Sequence, residues 1–249
     1  MRKNTNGFFA ALMLAVIGVV FLWRVVPEAV ARMQSPLDIA EAVEADLAPG
    51  KHVKGDLYAI LDSFASEETW TENKDGSRTA KKTSKIYYIF PVGEESYIGL
   101  ECYNKDKAAH EALNDATLDW LAGNTEYIEG DMVPFDGRVV KMEDELYQYM
   151  VEWFQDVGYF DGVEGFSVVA TEDEIKQYVL PYMLAPFAPG LDTMLIIGGV
   201  ILLIAVIVLV VTLQKEKKRK KMMEELANMP APAYDPTQQS EDALRHLQQ

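Results

Sequence analysis

The sequence predicts an α+β protein in which two transmembrane helices flank an extracytoplasmic, mostly antiparallel β-rich domain. Two long apolar stretches lie near the ends of the chain. Between them, strand-like segments alternate with two amphipathic helical patterns. Residues 27–190 hold 13 Lys and Arg against 32 Asp and Glu, a net charge of −19, whereas the whole chain carries −16. The acidic charge is therefore concentrated in the central domain.

The second transmembrane helix is predicted over residues 191–214. The stretch 193–214 contains 22 residues and no charge. At about 1.5 Å per residue, it covers the ~30 Å hydrocarbon layer of a bilayer. A buried helix of a soluble core is the alternative, but a domain of this size can hardly cover a helix that is apolar on every face.

The first apolar stretch, residues 7–26, is predicted to be a transmembrane helix with Trp23 at the interface and Arg24 reaching outward. A signal peptide is the alternative, because Ala29-Val30-Ala31 resembles a cleavage site. The apolar stretch is longer than a typical signal sequence, which favours an uncleaved anchor.

Basic residues beside the spans predict the topology, because such residues stay in the cytoplasm. Residues 1–6 form a cytoplasmic N-terminus, 27–190 an extracytoplasmic domain, and 215–249 a basic and then disordered cytoplasmic tail. The protein is therefore expected in the cell membrane with both termini inside. The residues that set this topology are Arg2, Lys3, Lys215, Lys217, Lys218, Arg219, Lys220 and Lys221.

The first half of the central domain reads as a short helix followed by three strands. Ser35 is a predicted helix N-cap, and Pro49-Gly50 a helix stop. Residues 56–70 and 83–92 predict a hairpin around the turn at 73–77, and residues 96–103 a third strand.

The second half contains the two amphipathic helices. Their predicted limits are 106–123 and 142–157, each closed by a glycine. Thr171 and Glu174 predict a capping box before a brief helix. The remaining elements are a strand pair at 127–133 and 138–142, a short strand at 166–170, and extended chain at 181–189. A small OB-like barrel is the specific version of this fold that the sequence favours.

Composition removes several classes of function. Cys102 is the only cysteine and there are three histidines, so a CxxC site or a multi-histidine zinc centre cannot readily be assembled. The acidic domain repels the phosphates of nucleic acids. No catalytic, cofactor-binding or metal-ligating residue is predicted.

Individual polar residues have simpler structural explanations. Cys102 lies inside a strand without a predicted base and reads as a buried thiol, with an interchain disulfide as the alternative. The residues 143–145 are acidic and suit a helix start. The loop 73–76 resembles a calcium loop, but Lys82 stands where its closing acid belongs.

Two groups of residues are also compatible with a catalytic or a binding function. Carboxylates such as Asp56, Glu101 and Glu129 could be paired by the fold for hydrolysis, although 32 acids make chance pairs common. Aromatic side chains on the strands predict core and cross-strand packing, with a binding groove as the alternative. These residues are Tyr87, Tyr88, Phe90, Tyr97 and Tyr103.

Four segments resemble an uncharacterised family of two-span membrane proteins from Gram-positive bacteria. They are residues 54–62 (KGDLYAILD), 87–91 (YYIFP), 97–100 (YIGL) and 137–158. The family is known as a domain of unknown function. The resemblance therefore implies a membrane-bound plan but no activity and no site residues.

These observations predict a membrane-tethered binding or assembly module of the cell envelope, with the lipid bilayer and a protein or envelope component as partners. The sequence favours a non-enzymatic role. Two alternatives are an envelope enzyme that uses paired carboxylates, and a sensor that couples the outer domain to the cytoplasmic tail.

Overall fold

Seven strands of the central domain form one sheet in the computed structural model, which describes residues 5–228. The strands are β1 (Leu37–Asp38), β2 (His52–Leu57), β3 (Ser63–Thr69), β4 (Lys82–Val92), β5 (Ser96–Tyr103), β6 (Val133–Lys141) and β7 (Val179–Pro186). The helices are α1 (Thr5–Arg32), α2 (Lys107–Leu121), α3 (Asp144–Asp156), α4 (Glu172–Ile175) and α5 (Leu191–Ala227). The prediction of a mixed α+β protein is confirmed.

The sheet has the order β1-β2-β6-β7-β5-β4-β3. Only the pairs β1–β2 and β5–β7 are parallel, so the sheet is mostly antiparallel as predicted. The OB-like barrel is not confirmed. Within residues 5–228 no pairing joins the edge strands β1 and β3, so the sheet stays open.

Each face of the sheet carries its own apolar cluster. One face packs Phe90, Leu100 and Val139 against Leu113 of α2. The opposite face packs Ile89 and Val179 against Met150, Val151 and Phe154 of α3. The two predicted amphipathic helices therefore both exist, and they cover opposite sides of the central strands.

The structure corrects four local predictions. The helix expected after Ser35 is replaced by β1 and a 3₁₀ turn at Glu44–Asp46, because Ile39 and Leu47 are buried by the sheet rather than by a helical face. Residues 134–137 do not turn but continue β6, whose burial alternates. Residues 127–132 and 166–170 contain no strand.

Strand β7 lies in the extended segment of the sequence prediction, at the centre of the sheet. Proline is rare in central strands because it cannot donate a ladder hydrogen bond. Pro181 is tolerated because the β5–β7 register shifts around it, between the pairs Tyr97↔Val179 and Gly99↔Met183.

The helical spacing of the apolar residues predicts a buried face of α2 formed by Ala109, Ala112, Leu113, Ala116, Trp120 and Leu121. The structure buries a different face. The buried residues are His110, Leu113, Asn114 and Thr117, whereas Trp120 is exposed. The buried polar side chains form hydrogen bonds with the backbone. For example, Thr117 accepts a hydrogen bond from the Ile60 N–H at 3.1 Å. Apolar periodicity alone misplaced this face.

Helices α1 and α5 each contain a segment that is long and apolar enough to cross a membrane. Their apolar segments, up to Phe21 and from Ile197, form one unit, and Leu22–Ile196 form another. Inside the first unit, Ala11 and Ala205 are buried, and a Cβ atom added at Gly18 would lie 2.7 Å from Leu202 Cδ2. Small residues let the two helices approach closely.

Candidate functional site

A groove lies on the α3 side of the sheet, beyond the part that α3 covers. Its floor comes from β4, β5, β6 and β7, and its volume is about 620 Å³. The central strands β5 and β7 thus have one half of this face packed against α3 and the other half open. The open half carries charged and tyrosine side chains in place of a core. Its lining includes Glu28, Glu67, Lys85, Tyr87, Glu101, Tyr103, Arg138, Lys141, Glu143, Glu145 and Tyr149.

A buried ion pair forms the β4–β5 side of the floor. The Lys85 Nζ atom donates to Glu101 Oε2 at 3.1 Å, and the Glu101 side chain is only 9% exposed. A carboxylate at this depth needs such a partner, because burial removes its hydration. Lys85 also lies 5.9 Å from the centre of the Tyr103 ring, within cation–π range.

A second ion pair joins the floor to helix α1. Arg138 Nη2 donates to Glu28 Oε1 at 3.2 Å, and the other Glu28 oxygen accepts the Ala188 N–H at 3.1 Å. Both charged side chains are less than a quarter exposed. Glu28 therefore ties the end of α1 both to β6 and to the segment that leads into α5.

Tyrosine hydroxyls line the groove in the neutral form. Burial, followed by the charge of Glu101, raises the pKa of Tyr87 and raises that of Tyr103 to about 12. At the rim, Tyr149 donates to Glu145 Oε1 at 2.7 Å, and this hydrogen bond raises the pKa of Tyr149. These rings offer both an apolar face and a hydroxyl to a ligand.

The rim is acidic. Three basic and five acidic side chains line the groove. Two of each are paired in the floor, which leaves Lys141 with Glu67, Glu143 and Glu145 around the opening. Lys141 is itself 3.9 Å from Asp144. The groove thus presents negative charge above a neutralised floor.

Next to the groove, His52 of β2 is buried between two acceptors. Its Nε2 lies 2.8 Å from Asp136 Oδ1, and its Nδ1 lies 3.1 Å from the Gln34 carbonyl oxygen. The ring meets Phe187 edge to face at 5.2 Å. His52 therefore fastens the chain after α1 and the chain before α5 to the sheet.

The candidate carboxylates of the sequence are not brought together. Glu101 lies in the groove floor, Asp56 faces a separate hollow with Asp38, and Glu129 is exposed in the loop before β6. Other glutamates, Glu28 and Glu67, accompany Glu101 instead. Within residues 5–228, no three His, Cys, Asp or Glu side chains converge as metal ligands would.

The aromatic candidates divide between the two faces. Tyr87 and Tyr103 line the groove, whereas Tyr88 and Phe90 are core residues on the opposite face. Tyr97 belongs to the α3 cluster, where its hydroxyl is 3.0 Å from that of Tyr159. Tyr87 also packs against that cluster, beside Phe64. The packing interpretation is therefore correct for four of these side chains.

Cys102 is 2% exposed and its thiol donates to the Tyr103 carbonyl oxygen at 3.3 Å. Burial raises its pKa to about 12. Such a thiol is inert at neutral pH, as expected for a structural cysteine. The topology residues Lys215, Lys217, Lys218, Arg219, Lys220 and Lys221 all lie in α5. Arg2 and Lys3, and the tail after residue 228, lie outside the described residues.

Sequence reasoning missed Glu28, Lys85 and Arg138. Each was an ordinary charged residue at the end of a span or inside a strand, and only the pairing of the strands brings them together. One sequence signal could have revealed such residues. It is a charged residue within a central strand whose side chains alternate between the two faces of the sheet, as at Arg138.

Residues 2–214 match a protein family that is described as a domain of unknown function (DUF8577). The match covers all seven strands and extends into both apolar helices. No curated protein and no solved structure matches the chain.

Proposed function

We propose that this chain, which belongs to the family described as a domain of unknown function (DUF8577), is a membrane-tethered binding module of the cell envelope. Its groove takes a basic segment of a protein or envelope partner, and it does so without catalysis. The source is a Gram-positive bacterium, as the resemblance of its segments implies.

The observation that carries this proposal is the open half of the central strands. The rest of this face packs against α3, and here charged pairs and tyrosines stand in place of that cover. The groove volume of about 620 Å³ falls within the roughly 300–1,000 Å³ of known ligand sites. An uncovered, polar concavity of this size supports binding.

The charge of the rim supports a basic ligand. The floor acids Glu28 and Glu101 are already engaged by Arg138 and Lys85, so only the rim acids remain for a ligand. Lysine or arginine side chains can pair with these acids, while their aliphatic stems lie against the tyrosine rings.

A defined probe tests the ligand class. The full chain in mild detergent should bind a lysine-rich peptide and not a glutamate-rich one. Neutralising Glu67, Glu143 and Glu145 to Gln should weaken the peptide about tenfold, since exposed charge pairs contribute about 0.2–1 kcal/mol each.

The matched control neutralises three exposed acids outside the groove, namely Asp38, Asp56 and Glu129. This variant should keep the original affinity. Equal loss in both variants would mean that the peptide senses only net charge, and the groove would lose its role.

Membrane insertion of both apolar helices is part of the proposal. The length of the first apolar stretch, which exceeds that of a typical signal sequence, supports an uncleaved first span. The basic run in α5 supports a cytoplasmic tail. A reporter that is active only outside the cytoplasm should work when fused after Lys141 and fail after Lys221; the opposite pattern reverses the topology.

A sensor is the second candidate, because α5 continues without a break from Leu191 to Ala227. The same helix contains the basic residues at 215–221. Ligand-dependent protection of residues 215–227 from protease would favour this role, and unchanged cleavage with bound peptide would exclude it.

The enzyme alternative has weaker support. Five glutamates line one groove, and paired-carboxylate chemistry requires two. The two most buried of them each accept a hydrogen bond from a basic side chain, so both are already engaged within the domain.

A further inference from the structure

The hairpin formed by β3 and β4 extends beyond the rest of the sheet. Strand β5 pairs with β4 only as far as Lys85↔Tyr103, whereas β3 follows β4 on to Thr69↔Lys82. The hairpin turns at Gly76, whose φ is +80°. Nine residues separate Lys85 from Gly76, so at about 3.3 Å per residue the arm reaches roughly 30 Å past β5. This hairpin arm comprises residues 69–83.

The arm projects from the end of the sheet at which α1 ends and α5 begins. Strands β5 and β7 are parallel with Leu100 beside Leu184, so Tyr103 is level with the residue after Pro186. Helix α5 starts at Leu191, just beyond. At the same end, Glu28 of α1 accepts the Ala188 N–H. The arm and the roots of both helices therefore share one end of the domain.

The charge of the arm is opposite to that of its domain. Residues 69–83 hold four basic and two acidic side chains, whereas residues 27–190 have a net charge of −19. Two of the basic residues have partners, Arg78 with Glu72 at 3.4 Å and Lys81 with Glu68 at 2.6 Å. All four of these side chains are exposed, so the pairs can exchange for other anions.

An exposed tryptophan accompanies this charge. Trp70 is 47% exposed, and the Arg78 guanidinium and the Lys81 ammonium lie 5.6 and 5.9 Å from its ring centre. Tryptophan has an apolar ring and a polar N–H, and it concentrates at the boundary between lipid and water. Basic side chains beside it are attracted to anionic headgroups.

We propose that the hairpin arm rests on the anionic lipid headgroups of the membrane that holds the chain, with Trp70 at the interface. The arm provides a third contact besides the two spans, and it fixes the height of the groove above the bilayer. The inference rests on the membrane insertion proposed above.

The test uses the full chain in lipid nanodiscs and three tryptophans as reporters. Lipids that carry bromine near the headgroup quench only tryptophans at that depth. The Trp70 signal is the difference between the chain and Trp70→Phe. It should be quenched about twofold more in discs that contain phosphatidylglycerol than in neutral phosphatidylcholine discs, because the arm is basic.

The matched control is Trp120, which is 43% exposed on α2 and lies outside the arm. Its signal, measured with Trp120→Phe, should not be quenched in either disc. Replacing Lys74, Arg78, Lys81 and Lys82 by Gln should remove the extra quenching of Trp70. An unchanged melting temperature of this variant establishes that it folds.

Trp23 on α1 separates the two proposals. If Trp23 is quenched and Trp70 behaves like Trp120, the spans are inserted and the arm proposal fails. Equal quenching of Trp70 in anionic and neutral discs also overturns the headgroup assignment. If Trp23 is not quenched by brominated lipid at any depth, membrane insertion itself fails.

Discussion

Removing the Glu28 carboxylate should destabilise the central domain. Glu28 accepts hydrogen bonds from Arg138 and from the Ala188 N–H, and its side chain is 18% exposed. Hydrogen bonds to charged groups contribute about 1.5–3 kcal/mol when buried, and partial exposure reduces this. Glu28→Ala leaves the Arg138 guanidinium largely buried without an acid, so the free energy of unfolding should fall by about 2–4 kcal/mol.

A double-mutant cycle isolates the pair. Glu28→Gln, Arg138→Gln and the double variant of the full chain are unfolded in mild detergent, with near-ultraviolet circular dichroism reporting on the domain aromatics. The coupling free energy should be about 1–2 kcal/mol. The control is Arg32→Gln: Arg32 pairs with Asp192 at 3.3 Å but both are exposed, so its cost stays below about 1 kcal/mol.

A coupling within about 0.3 kcal/mol of zero would refute the pairing of Glu28 with Arg138. Mass spectrometry of the purified chain supplies an independent check. If a peptidase removed the residues up to Ala31, Glu28 would be absent from the mature protein and none of its variants could change stability.

Three further predictions concern other parts of the chain. Because burial raises the Cys102 pKa to about 12, maleimide at pH 7 should label this thiol only after unfolding; rapid labelling of folded protein would contradict its burial. Hydrogen bonds from Thr171 lower the Glu174 pKa from 4.5 to about 2. This stabilisation is full above pH 4.5 and is lost as the pH falls through about 2, so Glu174→Gln should flatten the acid limb of a melting-temperature profile. Gly18→Ile should separate the apolar helices and lower their resistance to heat in detergent, whereas Gly199→Ile, where a Cβ meets nothing within 4 Å, should not.

Local signals in the sequence were sufficient for several elements. The apolar stretches predict α1 and α5, because length and hydropathy are properties of the segment itself. The strands β4 and β5, and the capping box at Thr171, were predicted for the same reason: strand composition on either side of Gly93, and a Thr–Glu spacing, act within a few residues.

Elements that depend on distant partners were not predictable in the same way. The apolar residues Ile39 and Leu47 fit a helical spacing, yet the chain there forms the short strand β1 and a 3₁₀ turn, since Leu37 pairs with Val53 in the sheet. Strand β6 was split into two because Pro134 to Gly137 reads as a turn. Its neighbours β2 and β7 hold this segment extended, and Gly137 is needed since a Cβ would lie 2.3 Å from the Ala185 carbonyl oxygen.

The groove illustrates the same distinction at the level of function. Its floor is assembled from four strands and α1, so no short motif encodes it. Its charged pairs are costly to bury, and a hydrophobic floor covered by a longer helix would serve stability equally well or better. The chain instead leaves half of this face open, and this is the observation on which the proposed binding function rests.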